Sequence, residues 1–217
     1  MGNNMTVKCD KCKTLGLTFQ SLTINPDEYI EGNIDAKIWI VGLNPKDEIG
    51  TVERRTKEEF QKFDPDIHSY FHDFKKVSEK LYSNWKSKDN TIAHTDLVKC
   101  FSQTFPPIIN DKYLDRGKII SNCREHLLSQ IKKHKPKLVI CNGTNVCREM
   151  ISSFPPDNHS EPINALTSYQ TTYIDESNVR FSFWIILSGF IGRIDDRNKR
   201  RLGKEIEKIL DDEKVWL

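Results

Sequence analysis

Four of the six cysteines are spaced for shared ligation. Cys9 and Cys12 form a Cys-x-x-Cys knuckle in a polar segment, Cys100 directly follows an apolar stretch, and Cys123 falls in the helical segment after it. Four thiolates suit a zinc ion or a 4Fe-4S cluster equally well, and composition does not choose between them. A zinc ribbon usually shows two knuckles, whereas the second pair here is widely spaced. A redox role for the knuckle would need a strand before it and a helix after it, and no strand reads there. Cys141 and Cys147, in an apolar run and a helix, read as buried small hydrophobes.

A second chemical signal is the run Lys37-Ile38-Trp39-Ile40-Val41 ending in Gly42-Leu43-Asn44-Pro45. The run reads as a buried strand, and Pro45 forces a loop because it lacks an amide hydrogen and restricts Asn44 before it. Open α/β sheets take their ligands beyond the carboxyl ends of the strands, where Asn44 would stand. Tyr70 and Phe71 offer faces on which a planar group can stack. Gly143 and Thr144 open a helix after a strand, a place suited to a phosphate. Arg193, Arg197 and Lys199 gather positive charge near the last helix; the alternative is a solvated helix face balanced by Asp195 and Asp196.

These residues need elements to position them. Apolar strands are expected at Lys37 to Val41, Ile92 to Lys99, Lys137 to Cys141 and Arg180 to Leu187, with a weaker pair between Ile163 and Ile174. Amphipathic helices are expected from Ile67 to Trp85, Asp115 to His134, Asn142 to Ser152 and Asp195 to Lys214. Strand, loop and helix alternate, which argues for a largely parallel sheet between helical layers. The 217 residues fit one domain, with 37% hydrophobic and 29% charged residues and a net charge of +2. No apolar run reaches the roughly 20 residues of a membrane span, and no secretory pattern opens the chain. A cytoplasmic protein is expected, in which metal ligation is a better use of cysteine than disulfides.

The ordered set Cys-x-x-Cys, strand to Gly-x-Asn-Pro, Thr95-Asp96-Leu97-Val98-Lys99-Cys100, Cys123-Arg124-x-x-Leu127 and Lys135-Pro136-Lys137-Leu138-Val139-Ile140 resembles the uracil-DNA glycosylase superfamily, nearest its iron-sulfur branch. The resemblance implies a three-layer α/β/α sandwich with a central, mainly parallel four-stranded sheet, residues 1–217 forming one domain. It implies a 4Fe-4S cluster on Cys9, Cys12, Cys100 and Cys123, with zinc as the other occupant, stapling residues 1–34 to the rest. The spacing of the last two cysteines suggests an insertion around Pro106 to Tyr113.

By the same resemblance the partner is DNA, met by a monomer away from any membrane, and the reaction is hydrolysis of the N-glycosidic bond of a flipped deaminated or modified base. Asn44 inherits the orientation of water, Gly42, Leu43 and Pro45 shape the base loop, and Tyr70 or Phe71 stacks; the helix start at Gly143 and Thr144 and the basic residues Arg193, Arg197 and Lys199 are then the candidates to meet phosphates. Two positions depart from the pattern. Asp96 stands where the branch carries a base-reading Asn, and an ionised carboxylate only accepts hydrogen bonds. Leu187 stands where a His would donate to the departing base, leaving Ser188 as a substitute. The second departure supports a member that binds DNA or a nucleotide without cleaving it.

Overall fold

The computed structural model describes residues 6–46, 56–62, 64–67, 69–86, 91–157, 167–175 and 177–214. Four apolar strands form its centre: β4 (Ile38–Gly42), β5 (Ile92–Asp96), β8 (Leu138–Asn142) and β10 (Arg180–Ser188). All four run parallel, in the order β5-β4-β8-β10. Two antiparallel edges widen the expected four-stranded sheet to six: β3 (Glu31–Gly32) beside β5 and β9 (Ser168–Ile174) beside β10. Of the weaker pair expected between Ile163 and Ile174, β9 is the part that forms, and residues 158–166 lie outside the described set, as does Asp47 after the Asn-Pro loop.

Successive residues of these strands point to opposite faces, so each strand feeds two cores. Trp39, Val41, Ala93, Val139, Cys141 and Ile185 pack on one side with Ile119, Leu127 and Ile131 of α4 (Arg116–His134) and Val146 and Met150 of α5 (Thr144–Ser153). Ile38, Ile40, Ile92, Ile140 and Ile186 pack on the other with α2 (Ser69–Val77), α3 (Glu79–Lys86) and α6 (Asp196–Asp212). The result is the expected α/β/α sandwich. A short α1 (Lys57–Gln61) precedes α2, capped by Thr56, whose hydroxyl accepts from the Glu59 amide.

The helix expected from Ile67 to Trp85 is two helices, interrupted at Ser78. Its hydroxyl accepts from the Leu81 amide at 3.0 Å and so starts α3. The break coincides with a close helix crossing: a Cβ on Gly203 of α6 would lie 1.8 Å from the Val77 carbonyl oxygen.

The segment ahead of the sheet is also more structured than expected. A hairpin of β1 (Thr6–Cys9) and β2 (Phe19–Ser21) flanks the cysteine knuckle. A strand therefore does precede the knuckle, but the chain leaves it through a single 3-10 turn, Lys13–Leu15, and not a helix. The insertion near Pro106 folds as a second small hairpin, β6 (Ile108–Ile109) with β7 (Lys112–Tyr113).

Candidate active site at the carboxyl ends of the parallel strands

The strand register brings four chain ends to one level. Gly42 of β4 pairs with Asp96 of β5, and Asn142 of β8 pairs with Ser188 of β10. Because side chains alternate along a strand, His94 and Asp96 share one face of the sheet, the face that carries Ile38, Ile40 and Gly42. Glu31 of β3 pairs with His94 and completes the row. Tyr70 and Phe71 of α2 close over it: the Phe71 ring meets His94 edge-on at 5.0 Å and the Tyr70 ring lies 6.1 Å from the same imidazole.

Asp96 is 3% exposed, and burial pushes its carboxyl up to about 6; His94 and Lys99 oppose the rise and Glu31 adds to it. His94 points Nδ1 at Glu31 Oε2, 2.8 Å away. Burial works against the protonated imidazole, but the Asp96 and Glu31 carboxylates outweigh it and His94 is held above its ordinary range. Its Nε2 is buried with no hydrogen-bond partner among the described residues. Gly42 makes room for this group, since a Cβ there would fall 2.3 Å from Asp96 Oδ1 and 3.1 Å from His94 Nε2.

Asn142 ties three pieces together. Its amide nitrogen donates to the Tyr70 hydroxyl, and its Oδ1 accepts from the Ile191 amide at 2.8 Å. Burial and the nearby Asp96 carboxylate push the Tyr70 hydroxyl far up, so it keeps its proton. The loop after β10 then lays Phe190 against Tyr70, the rings 5.8 Å apart and nearly parallel at 22°. Phe190 is 42% exposed and carries the Arg193 guanidinium over its outer face, 5.7 Å from the ring centre.

Asn44 is half-buried in the loop beyond β4. Its Nδ2 donates to Ser102 O at 3.0 Å and Pro45 O at 3.1 Å, which fixes the amide and turns Oδ1 away from those carbonyls. An oxygen held in this way accepts from water. Leu43 O accepts from the Val98 amide and Gly42 O from the Leu97 amide, both at 2.9 Å, so β5 ends at Asp96 and the expected strand to Lys99 folds back over the loop. Lys99 is buried beneath, its ammonium donating to Thr95 Oγ1, Asp96 O and Gln130 Oε1 at 2.6 to 2.8 Å. Burial brings it down to about 7.

Other expected site residues are placed differently. Leu187 is half-buried against the core on the α4–α5 side, and it is Ser188 that ends β10 on the face shared with Gly42 and Asp96. The Ser188 hydroxyl donates to Gly189 O at 2.9 Å. Gly143, at φ 113, caps α5, but its amide is committed to Ser188 O at 2.9 Å; Thr144 beside it is exposed. Arg197 is exposed. Lys199 is not a surface cation: it is 5% exposed and its Nζ lies 2.7 Å from Asp73 Oδ1, a tie between α6 and α2 that removes it from the expected phosphate contacts. His94, Glu31 and Asn142 were not expected at the site. Counting by two from Asp96 puts His94 on the same face of β5 without revealing a role for it, and Asn142 is the polar end of an apolar strand, just as Asp96 is.

The cysteines of the expected quartet gather where β1, the knuckle, the loop after β5 and α4 meet. Cys12, Cys100 and Cys123 are buried and Cys9 is half-buried. The Cys100 thiol is hydrogen-bonded to Cys123, the Asn122 amide donates to Cys12 Sγ at 3.4 Å, and Cys9 Sγ lies 3.7 Å from His126 Nε2. Asp27 holds His126 from its other nitrogen at 2.5 Å. Among the described residues no three Cys, His, Asp or Glu side chains are grouped to hold one metal ion.

Fold and site together define an α/β/α protein whose parallel strands end in a cluster of buried acid, imidazole and aromatic groups packed around Gly42. A sequence model of the uracil DNA glycosylase superfamily matches residues 29–178, and the chain belongs to that superfamily. The match runs from the turn before β3 to the turn after β9 and so contains every pocket residue up to Asn142. No curated protein matches the chain. Among the described residues no helix is long and apolar enough to cross a membrane.

Proposed function

We propose that this protein is a DNA-base glycosylase: it receives a deaminated or modified base flipped out of DNA and hydrolyses its N-glycosidic bond. The observation that carries this reading is the convergence of the Gly42–Pro45 loop, Asp96 and Tyr70 at one level of the sheet. Glycosidic cleavage leaves an oxocarbenium-like sugar and an anionic base, so it needs an oriented water and hydrogen-bond donors near the base. Asn44 Oδ1 serves the first need. The Tyr70 hydroxyl and the exposed amides after Ser188 serve the second, in place of the missing His. Arg193 and Arg197 meet backbone phosphates on the same rim.

For the cysteines we propose a 4Fe-4S cluster on Cys9, Cys12, Cys100 and Cys123. Four thiols from three segments suit it, since a cluster takes each thiolate on a separate iron and does not require them to meet at one ion. When bound, it supplies a covalent staple between the β1–β2 hairpin and α4. His126, oriented by Asp27, is placed to donate to Cys9 Sγ.

The test is cleavage of oligonucleotides carrying uracil, hypoxanthine or xanthine by anaerobically prepared protein, with alkali to reveal abasic sites. Asn44→Ala should lose on the order of 100-fold or more in rate while keeping DNA affinity; an unchanged rate removes Asn44 from the reaction. A second reading, a DNA-binding relative without chemistry, is favoured by Leu187 packing against the core on the far face of the sheet and by the Ser188 hydroxyl turned to its neighbour's carbonyl. Salt-sensitive binding with no cleavage of any of these bases would select it.

A further inference from the structure

The Glu31–His94 pair has no part in water activation or phosphate binding, yet it is built into the pocket wall at some cost. Two buried carboxylates flank one imidazole, whose outer nitrogen has no partner among the described residues. A buried donor left unmatched is unfavourable, so a group of this kind is kept where a ligand or a neighbour can use it. That nitrogen and Asp96 Oδ1 both lie against Gly42, where any side chain would collide with them.

The chemistry of the base edge says what the pair is for. A deaminated pyrimidine or purine presents a carbonyl oxygen beside a ring N–H, so its reader must donate to the first and accept from the second. A carboxylate accepts at both oxygens and repels the carbonyl, whereas a neutral carboxylic acid has one O–H donor and one C=O acceptor side by side. We propose that His94 is a specificity-determining residue that hands its Nε2 proton to Asp96 when a deaminated base enters, converting Asp96 from acceptor to donor–acceptor. This deepens the reading of the crevice as a base pocket and rests on it.

The step balances within the site. Before it, His94 is cationic and Asp96 anionic; after it, both are neutral, so the pair carries the same net charge and takes no proton from solvent. Glu31 accepts from Nδ1–H throughout and fixes the ring, and Nε2 and Asp96 Oδ1 lie on the same side of Gly42. The groups facing the trio are Tyr70 from α2, Lys99 and the Tyr29 hydroxyl behind Asp96, and the uncharged Gly42 and Asn142 from β4 and β8. Lys99 and Tyr29 favour the Asp96 anion in the empty site, which keeps the acid form for the occasion when a carbonyl is there to receive its proton. Cytosine and adenine, with an amino group in place of the carbonyl, draw no proton across.

The experiment is histidine-imidazole nitrogen NMR on the labelled full chain, with free uracil and then free cytosine as probes. His94 should read as protonated in the free protein near neutral pH and move to the neutral form on adding uracil, but not cytosine. In Asp96→Asn the His94 midpoint should fall, and uracil should leave its protonation unchanged. Glu31→Gln should also lower the midpoint while leaving the shape of the wall intact. A His94 ring indifferent to saturating uracil, or a midpoint unmoved in Asp96→Asn, overturns the proposal whether or not the protein cleaves DNA. If the protein cleaves uracil-containing DNA, His94→Gln should lose about 10-fold at pH 7.5 and regain most of it near pH 5, where solvent supplies the Asp96 proton. An equal loss at both pH values would make His94 merely structural and also overturn it. Absence of cleavage in the wild type bears on the glycosylase reading alone, because the NMR arm needs no turnover.

Discussion

Asp96 gives up solvent and gains a pocket. Its native carboxyl keeps a proton up to about pH 6, while the unfolded one releases it near its ordinary value of 3.8. Over that window the native state binds more protons than the unfolded state, so this group makes stability fall as pH rises from about 4 to about 6. Asp96→Asn removes the dependence. Urea denaturation at the two ends of the window should therefore show the variant gaining on the wild type by on the order of 2 kcal/mol. A parallel pair of curves would contradict the placement of Asp96. Gly42→Ala tests the same wall sterically: its Cβ would strike Asp96 Oδ1, and a cost of about 1–3 kcal/mol with loss of base cleavage is expected from melting and activity measurements. At this scale the sequence was partly legible. Gly42 and Asn44 could be marked because an apolar strand runs into their loop, and Asp96 by its place in the superfamily's motif order. His94 could not be separated from an ordinary core residue, since its role depends on Glu31, a partner 63 positions away that sits in a two-residue strand.

Between elements, the tightest crossing is α6 on the end of α2, where Gly203 admits the Val77 carbonyl. Gly203→Ala should destabilise by on the order of 2 kcal/mol, read as a lower denaturation midpoint with an unchanged slope, because no side chain can yield when the obstacle is backbone. The four long strands and the helices α4 to α6 were legible from apolar runs and helical spacing, which burial on two faces enforces. The edges were not. Strand β3 spans Glu31–Gly32 and exists because β5 offers it a hydrogen-bonding edge, a long-range cause that leaves no periodic trace in two residues. The break at Ser78 was hidden likewise, since Phe74, Val77 and Leu81 keep helical spacing across it. Lys199 shows the reverse case: a charge run read as surface placed one cation inward, where Asp73 meets it.

Across the whole molecule a net charge of +2 means that, on the proposed reading, DNA affinity rests with local groups such as Arg193 and Arg197. Arg197→Ala should lower affinity for all sequences alike and reduce the slope of log affinity against log salt by about 1; Lys199→Ala, by contrast, should alter stability and leave that slope alone. Oligonucleotide titrations at three or more salt concentrations separate the two. The superfamily was legible because its motifs lie in chain order at strand ends, whereas what the pocket reads was not, since that depends on which protons are held at once by Glu31, His94 and Asp96. The pocket's ties also span the chain: Asn142 to Tyr70 across 72 positions, Ile191 to Asn142 across 49. Such ties form only after both halves of the sheet have joined. A half-unfolded copy can expose the Asn-Pro loop, yet it lacks the assembled wall of His94, Asp96 and Tyr70. The architecture thus acts as a completeness check: the candidate site exists only in a finished molecule.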